Sequence, residues 1–442
     1  MKKHLLPALL LSIGVAACGN SSLFGKPEKP PLKGERISVL DFEKDLRPED
    51  DISGVAAFSA GDLWQNDSWP QAGGNPDHSM HNLALSQKGL KKVWGAHIGQ
   101  GSRKNLPLTA QPVIAGKTIF TLDTEATLSA FSTEDGKRRW SVSVADPDED
   151  DEVISGGISS DGGVVYVTAG YDEVVAVDGQ KGDVKWRAKL ASPSRAAPTI
   201  AAGRVFVTTL SNSILALNAS DGKVLWEFSG LGQSTGLVGA ASPAATADMV
   251  VPAFSSGEIY ALRAGNGSVA WSDNLANEVR LGGLGALSDI RGLPVVDGNT
   301  VYAISFGGKA AAIDLTSGSR VWQKEISGAK TPWVAGNRVY LISSEGQIVS
   351  LDKQTGTVIW VSQLARFKNK EKREGGIFWT GPIMAGGRLL AFSTDGRVAE
   401  INAENGTLIR EWDSGEDIKI SPIIASGTLY ILGDDGDLTA YR

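Results

Sequence analysis

The sequence predicts an all-β chain folded as an eight-bladed β-propeller of four-stranded antiparallel blades. Three observations carry that expectation. A turn phrase returns eight times at the spacing of propeller blades, a β-rich phrase leads each copy, and a spare strand near the N-terminus matches the one the last copy lacks. The turn phrase runs Ala, one apolar residue, Asp or Asn, three residues, Gly, three residues, Trp. It opens at Ala130, Ala176, Ala216, Ala261, Ala312, Ser350, Glu400 and Ala440, at intervals of 46, 40, 45, 51, 38, 50 and 40 residues.

Each copy has the chemistry of a β-hairpin. Apolar residues alternate ahead of the Asp or Asn, as on a strand. The carboxylate or amide can accept backbone N–H groups at the turn. Glycine follows in all seven copies that reach that far: Gly136, Gly182, Gly222, Gly267, Gly318, Gly356 and Gly406. It supplies a positive φ without steric cost. Tryptophan follows in six, as Trp140, Trp186, Trp226, Trp271, Trp322 and Trp360, where a large ring can wedge neighbouring sheets together. In the seventh, Trp412 stands two places late. Leading phrases such as "QPVIAGKTIF" (111–120), "APTIAAGRVF" (197–206) and "LPVVDGNTVY" (293–302) predict the first two strands of each blade.

The eighth copy stops at Ala440-Tyr-Arg, one strand short. The segment "LKKVWGAHIG" (90–99) is a strand carrying Trp94, and it is predicted to complete the last blade. Closure would remove the open edges that a linear array of sheets leaves.

The N-terminus carries a processing signal. Lys2 and Lys3 precede a 13-residue apolar stretch, Leu5–Ala17, that is short for a bilayer span. The stretch ends in "VAAC", which resembles the lipobox of bacterial lipoproteins and implies lipidation of Cys18. Gly19 after that cysteine implies, by the same resemblance, an outer-membrane destination with the body facing the periplasm. Residues 1–17 are then the signal peptide, 18–62 the lipidated residue and a Pro- and Lys-rich flexible tether, and 63–442 the propeller. "RISVLDF" (36–42) is a short apolar island within the tether.

Composition and motifs exclude several functions. A net charge of −7 without a basic stripe argues against nucleic acid. Cys18 is the only cysteine, so no intramolecular disulfide or cysteine-rich metal site can form. All four histidines, His4, His78, His81 and His97, precede the repeats, so no copy of the repeat can offer a histidine base or ligand. His78 and His81 lie beside Gly74 and Pro76 and are expected in a surface loop. "DPDEDDE" (146–152) lacks the glycine turn and ligand spacing of an EF-hand. No phosphate-binding loop or Gly-x-Ser-x-Gly elbow occurs. The expectation is no catalytic residue, no metal and no cofactor.

The repeat Ala-x-Asp-x-x-x-Gly-x-x-x-Trp resembles that of pyrroloquinoline-quinone (PQQ) type propellers, over roughly Trp64–Arg442. "WPQAGGNPDHSMHN" (69–82) is similar to the segment that enters the propeller in this superfamily. The superfamily holds quinoprotein dehydrogenases and a non-enzymatic branch, the BamB family of outer-membrane assembly lipoproteins. The first branch implies a PQQ-dependent dehydrogenase, often with adjacent cysteines near the cofactor, which this chain lacks. The second implies a scaffold that binds the periplasmic domains of the barrel-inserting protein BamA. A glycan- or polymer-binding periplasmic propeller is a third possibility.

Connections between blades all emerge on one face, where insertions usually carry binding function. Three are long: Trp226 to Pro243, Trp271 to Pro294 and Trp360 to Pro382. The first two are apolar for loops, "GLGQSTGLVGAAS" (230–242) and "LANEVRLGGLGALSDIRG" (275–292), with charges at Arg280, Asp289 and Arg291. An apolar patch with polar edges suits a protein partner. The BamB resemblance implies the same surface, with Leu237 and Val238 in the first loop and Leu287, Asp289 and Arg291 in the second. Val238 stands where the resemblance implies Arg, and Arg291 where it implies a second Asp. The third long loop holds "RFKNKEKRE" (366–374) and is expected to be a solvated loop.

Overall fold

A computed structural model of the chain describes residues 46–146, 148, 153–232, 237–276 and 288–442, and every regular element among them is a strand. The turn phrase sets the local geometry. Asp314 Oδ1 accepts the N–H groups of Thr316 and Ser317 at 3.1 and 2.7 Å, while the Gly318 N–H returns to the Asp314 carbonyl at 2.9 Å. Gly318 takes a φ of 73°, the left-handed region that side chains resist. The same capping recurs at Asp178, Asn218, Asp352 and Asn402.

The strands form eight four-stranded antiparallel blades in chain order. Blade one comprises Val113–Ala115, Thr118–Leu122, Thr127–Ser132 and Arg138–Ser143. Blades two to seven follow over residues 157–189, 199–229, 244–274, 295–324, 333–363 and 379–413. Blade eight has three strands of its own, Ile423–Ala425, Thr428–Leu432 and Asp437–Tyr441, and Lys92–His97 supplies the fourth with Trp94 opposite Ala440. First strands of neighbouring blades touch from blade one through blade seven, so the first strands line the centre.

One joint links blade to blade. Each tryptophan ring covers the turn glycine of the next blade: a Cβ on Gly136 would lie 2.6 Å from Trp94, and one on Gly222 would lie 2.7 Å from Trp186. The series continues as Trp140 on Gly182, Trp226 on Gly267, Trp271 on Gly318, Trp322 on Gly356 and Trp360 on Gly406. In six of these seven joints the indole N–H also donates to the carbonyl three residues before the glycine, for example Trp271 Nε1 to Leu315 O at 2.7 Å. The exception is Trp140, whose buried Nε1 has no hydrogen-bond partner. The glycine is therefore demanded twice, by its φ and by the ring pressed on it.

The alanine that opens the phrase has its own reason. Ala216 lies between Phe206 and Trp226 across three adjacent strands, and its small side chain lets the two rings meet with centroids 5.9 Å apart. Blades one, two, five and six repeat this aromatic pair.

Blade seven departs from the pattern. Glu400 replaces the alanine, and Arg410 occupies the register of the tryptophan. Glu400 is fully buried and pairs with Arg388 and with Arg410, the latter at 2.8 Å, while Trp412 Nε1 donates to it at 3.0 Å. Trp412 lies opposite Val398 and packs on Tyr441 of blade eight, ring centroids 5.3 Å apart. An ionic cluster thus fills the place of an aromatic pair, and the displaced tryptophan makes the eighth joint.

Residues 66–83 encircle the channel at the end away from the interblade connections. Asn66 bonds Ile424 and Ser426 of blade eight; Trp69 exchanges backbone bonds with Ile114 of blade one; Pro70 accepts from Ser160 of blade two. The Gln71 side chain bonds both backbone groups of Ile200 in blade three, and Pro76 and Asp77 accept from Ala245 and Val296 of blades four and five. His81 O accepts from Trp333 of blade six and Leu83 O from Gly386 of blade seven. Parallel pairing of Leu63–Trp64 with Asn82–Leu83 joins the two ends of the circuit. This floor satisfies the polar edge that eight inner strands would otherwise leave open. His78, expected at the surface, is buried in it. Its Nδ1 meets Pro294 O at 2.7 Å, and burial pushes its pKa down to about 4.

The tether boundary also shifts. Residues 46–61, expected to be flexible, run along blades five and six: Glu49 pairs with Lys324 at 2.5 Å, and Ala56 O and Ala57 O accept from Arg338 and Asn337. Their polar backbone finds partners that composition does not reveal.

Candidate partner-binding face

The connections from blade three to four and from four to five meet at one bond. Asp289 Oδ2 accepts the backbone N–H of Leu237 at 2.6 Å. Asp289 is buried, so its carboxylate is not the exposed charge the loop composition suggested. Burial raises its pKa, against the lowering effects of the Leu237 N–H and the Arg291 charge. Leu237 is half-buried, whereas Val238 is 47% and Leu231 64% exposed. The Leu231 backbone is held by Glu258 Oε2 at 2.7 Å and Asn212 Nδ2 at 2.8 Å, which fixes its side chain outward. Leu231 was not among the residues singled out from sequence, where it was one apolar residue in an apolar loop.

Arg291 does not stand free in solvent. A Cβ on Gly239 would lie 2.6–2.9 Å from its Nη2, Cζ and Nε, so the guanidinium rests on the bare backbone of that glycine. Arg291 is half-buried, and burial lowers its pKa against the favourable charge of Asp289. Lys330, just ahead of the first strand of blade six, is the neighbour sequence reasoning missed. Burial, then the Arg291 charge, push its ammonium pKa down to about 8. Its local sequence, "GAKTP", carries no signal of this; only the packing of the run-in to blade six on that to blade five brings it near Arg291. Arg280 and Leu287 lie outside the described residues, as does Cys18.

The basic segment between blades six and seven is a hairpin, Phe367–Asn369 paired with Glu374–Gly376, exposed except at the half-buried Phe367. Lys368 borders a groove of about 470 Å³ with Asp395, Glu411 and Asp413. Among the described residues one group of carboxylates could hold a cation, Glu416 of the blade seven to eight connection with Asp435 and Asp437 of blade eight, within 4.8 Å of one another. Thr439 and His97 already bond Glu416 and Asp437.

A sequence profile of the family described as "Outer membrane protein assembly factor BamB" matches residues 51–154 and 148–362. The chain belongs to the BamB family. The profile described as "Glucose/ethanol/alcohol dehydrogenase, beta-propeller domain" matches residues 323–430, as expected of a shared repeat. BamB of Yersinia pestis is 26% identical over 240 residues, which cover 53% of this chain and 61% of that protein. BamB of Bordetella pertussis is 27% identical over 241 residues, 54% of this chain and 60% of that protein. The chain thus spans about 60% of the length of the curated BamB relatives it matches. The crystal structure of BamB from Moraxella catarrhalis aligns with a TM-score of 0.68 at 23% identity, covering 80% of this chain and all of that one. A quinohemoprotein alcohol dehydrogenase from Pseudomonas putida aligns with a TM-score of 0.64 at 14% identity, covering 86% of this chain and 80% of that one. Both likenesses concern the fold, which the BamB family shares with enzymes.

Proposed function

We propose that this chain is a non-enzymatic scaffold lipoprotein of the outer-membrane β-barrel assembly machinery. It is held by acyl chains at Cys18 and faces the periplasm. It seats the periplasmic domains of a BamA-like protein on the connections joining blades three, four and five. The observation that carries this reading is the Asp289–Leu237 bond, which couples two separate loops into one surface. Those connections expose Leu231 and Val238, with the Arg291 guanidinium against Gly239 next to Val238, apolar residues with a polar border. Membership of the BamB family supports the same assignment.

Titration calorimetry tests it. The full chain with Cys18→Ala, which removes the acylation site, is titrated with the periplasmic domains of the BamA-like protein of the same organism. Wild-type loops should bind, and Leu231→Arg with Val238→Arg should weaken binding by about tenfold or more, as loss of a central apolar contact does. Absence of binding by the wild-type surface would overturn the proposal and turn attention to quinone and glycan ligands.

A further inference from the structure

The partner face carries two cations, Arg291 and Lys330, and among the described residues the one acid whose charge acts on either is Asp289, beside Arg291. Arg291 comes from the run-in to blade five and Lys330 from the run-in to blade six. These run-ins pack together: a Cβ on Gly292 would lie 2.6 Å from the Lys330 carbonyl, and Leu293 N donates to Thr331 Oγ1 at 3.1 Å. Gly239 of the preceding run-in supplies the seat for the guanidinium. Three consecutive run-ins to the central strands thus pack together, and the Arg291 charge acts on the Lys330 ammonium.

Asp289 acts on Arg291, not on Lys330, and is already bonded to Leu237 N. Lys330 has no ion pair among the described residues, and the charge acting on it is the like charge of Arg291. Half-burying two like charges against the single carboxylate of Asp289 is unfavourable for the free protein. An incoming carboxylate would relieve it, accepting from the fork of the guanidinium and from the ammonium together.

We propose that Arg291 and Lys330 form a receptor for an Asp or Glu side chain of the protein seated on this face. The proposal rests on the scaffold reading for the identity of that protein. It makes the pair a specificity determinant: a partner with a cation at the matching position would be rejected.

Proton uptake on binding separates this proposal from its parent. Pairing with a carboxylate favours the charged ammonium, so a lysine half-protonated near pH 8 takes up protons when the complex forms. Calorimetry of the Cys18→Ala full chain with the BamA-like periplasmic domains, at pH 8 in buffers of different ionisation enthalpy, should show uptake approaching about half a proton per complex. Lys330→Met should abolish that uptake and weaken binding by about tenfold, and Arg291→Gln should weaken it by a similar factor. Binding by wild type with no proton uptake, or affinity unchanged in both variants, would overturn the receptor while leaving the scaffold reading intact. No binding by wild type would remove both. A wild type whose uptake and affinity respond equally to inorganic phosphate as competitor, with the partner bound elsewhere, would assign the pair to a small anion and also overturn the proposal.

Discussion

Asp289 and Leu237 are 52 residues apart in the chain, yet a single 2.6 Å hydrogen bond joins a buried carboxylate to a backbone N–H and fastens two interblade connections to each other. Replacing Asp289 by Ala leaves that N–H without its acceptor. The expected cost is about 1–3 kcal/mol, with faster proteolysis between residues 231 and 240. Asp289→Asn keeps an acceptor and should retain most of the stability. Denaturant midpoints and limited proteolysis of both variants check the pair.

The turn glycines separate two effects within one blade. Gly203 has a positive φ of 72° and open space around its missing Cβ, whereas Gly222, at 73°, faces the Trp186 ring at 2.7 Å. Gly203→Ala should cost only the left-handed penalty, about 1–2 kcal/mol. Gly222→Ala should cost that penalty and a further 1–3 kcal/mol or so for displacing the indole. Equal losses in equilibrium unfolding would argue against the ring-on-glycine joint.

The ionic cluster of blade seven should be fragile to deletion of its centre. Glu400→Ala leaves the buried Arg388 without a counter-charge and Trp412 Nε1 without its acceptor. Losses of about 3–5 kcal/mol are typical of breaking a buried pair. Unfolding curves report the magnitude, and tryptophan fluorescence should shift as Trp412 is released.

His78 confers a specific acid sensitivity. Its pKa falls from an ordinary 6.5 to about 4 because burial in the channel floor disfavours the imidazolium. The unfolded chain therefore binds this proton first. The favourable contribution of the neutral ring is whole above pH 6.5 and is lost progressively as pH falls towards 4, up to about 3 kcal/mol. His78→Asn tolerates the positive φ of 62° and does not titrate. Its stability should fall less than that of wild type between pH 7 and 4, measured by thermal unfolding at each pH.

Sequence alone determined the repeat and nearly everything built from it. The hairpin phrase spans only eleven residues, so its turn, its glycine conformation and its strand alternation are local and readable. The count of eight and the closing strand at Trp94 follow from arithmetic on the same phrase. Tertiary structure decided which charges are available. Asp289 and Arg291 read as equal loop charges and Lys330 carried no signal, but the fold buries the first against Leu237, lays the second on Gly239 and brings the third under its charge. The floor made by residues 66–83 and the burial of His78 were likewise invisible, because their partners lie in eight different blades. Local periodicity reports what a segment is; burial and electrostatic environment depend on neighbours far along the chain, and those exist only once the ring has closed.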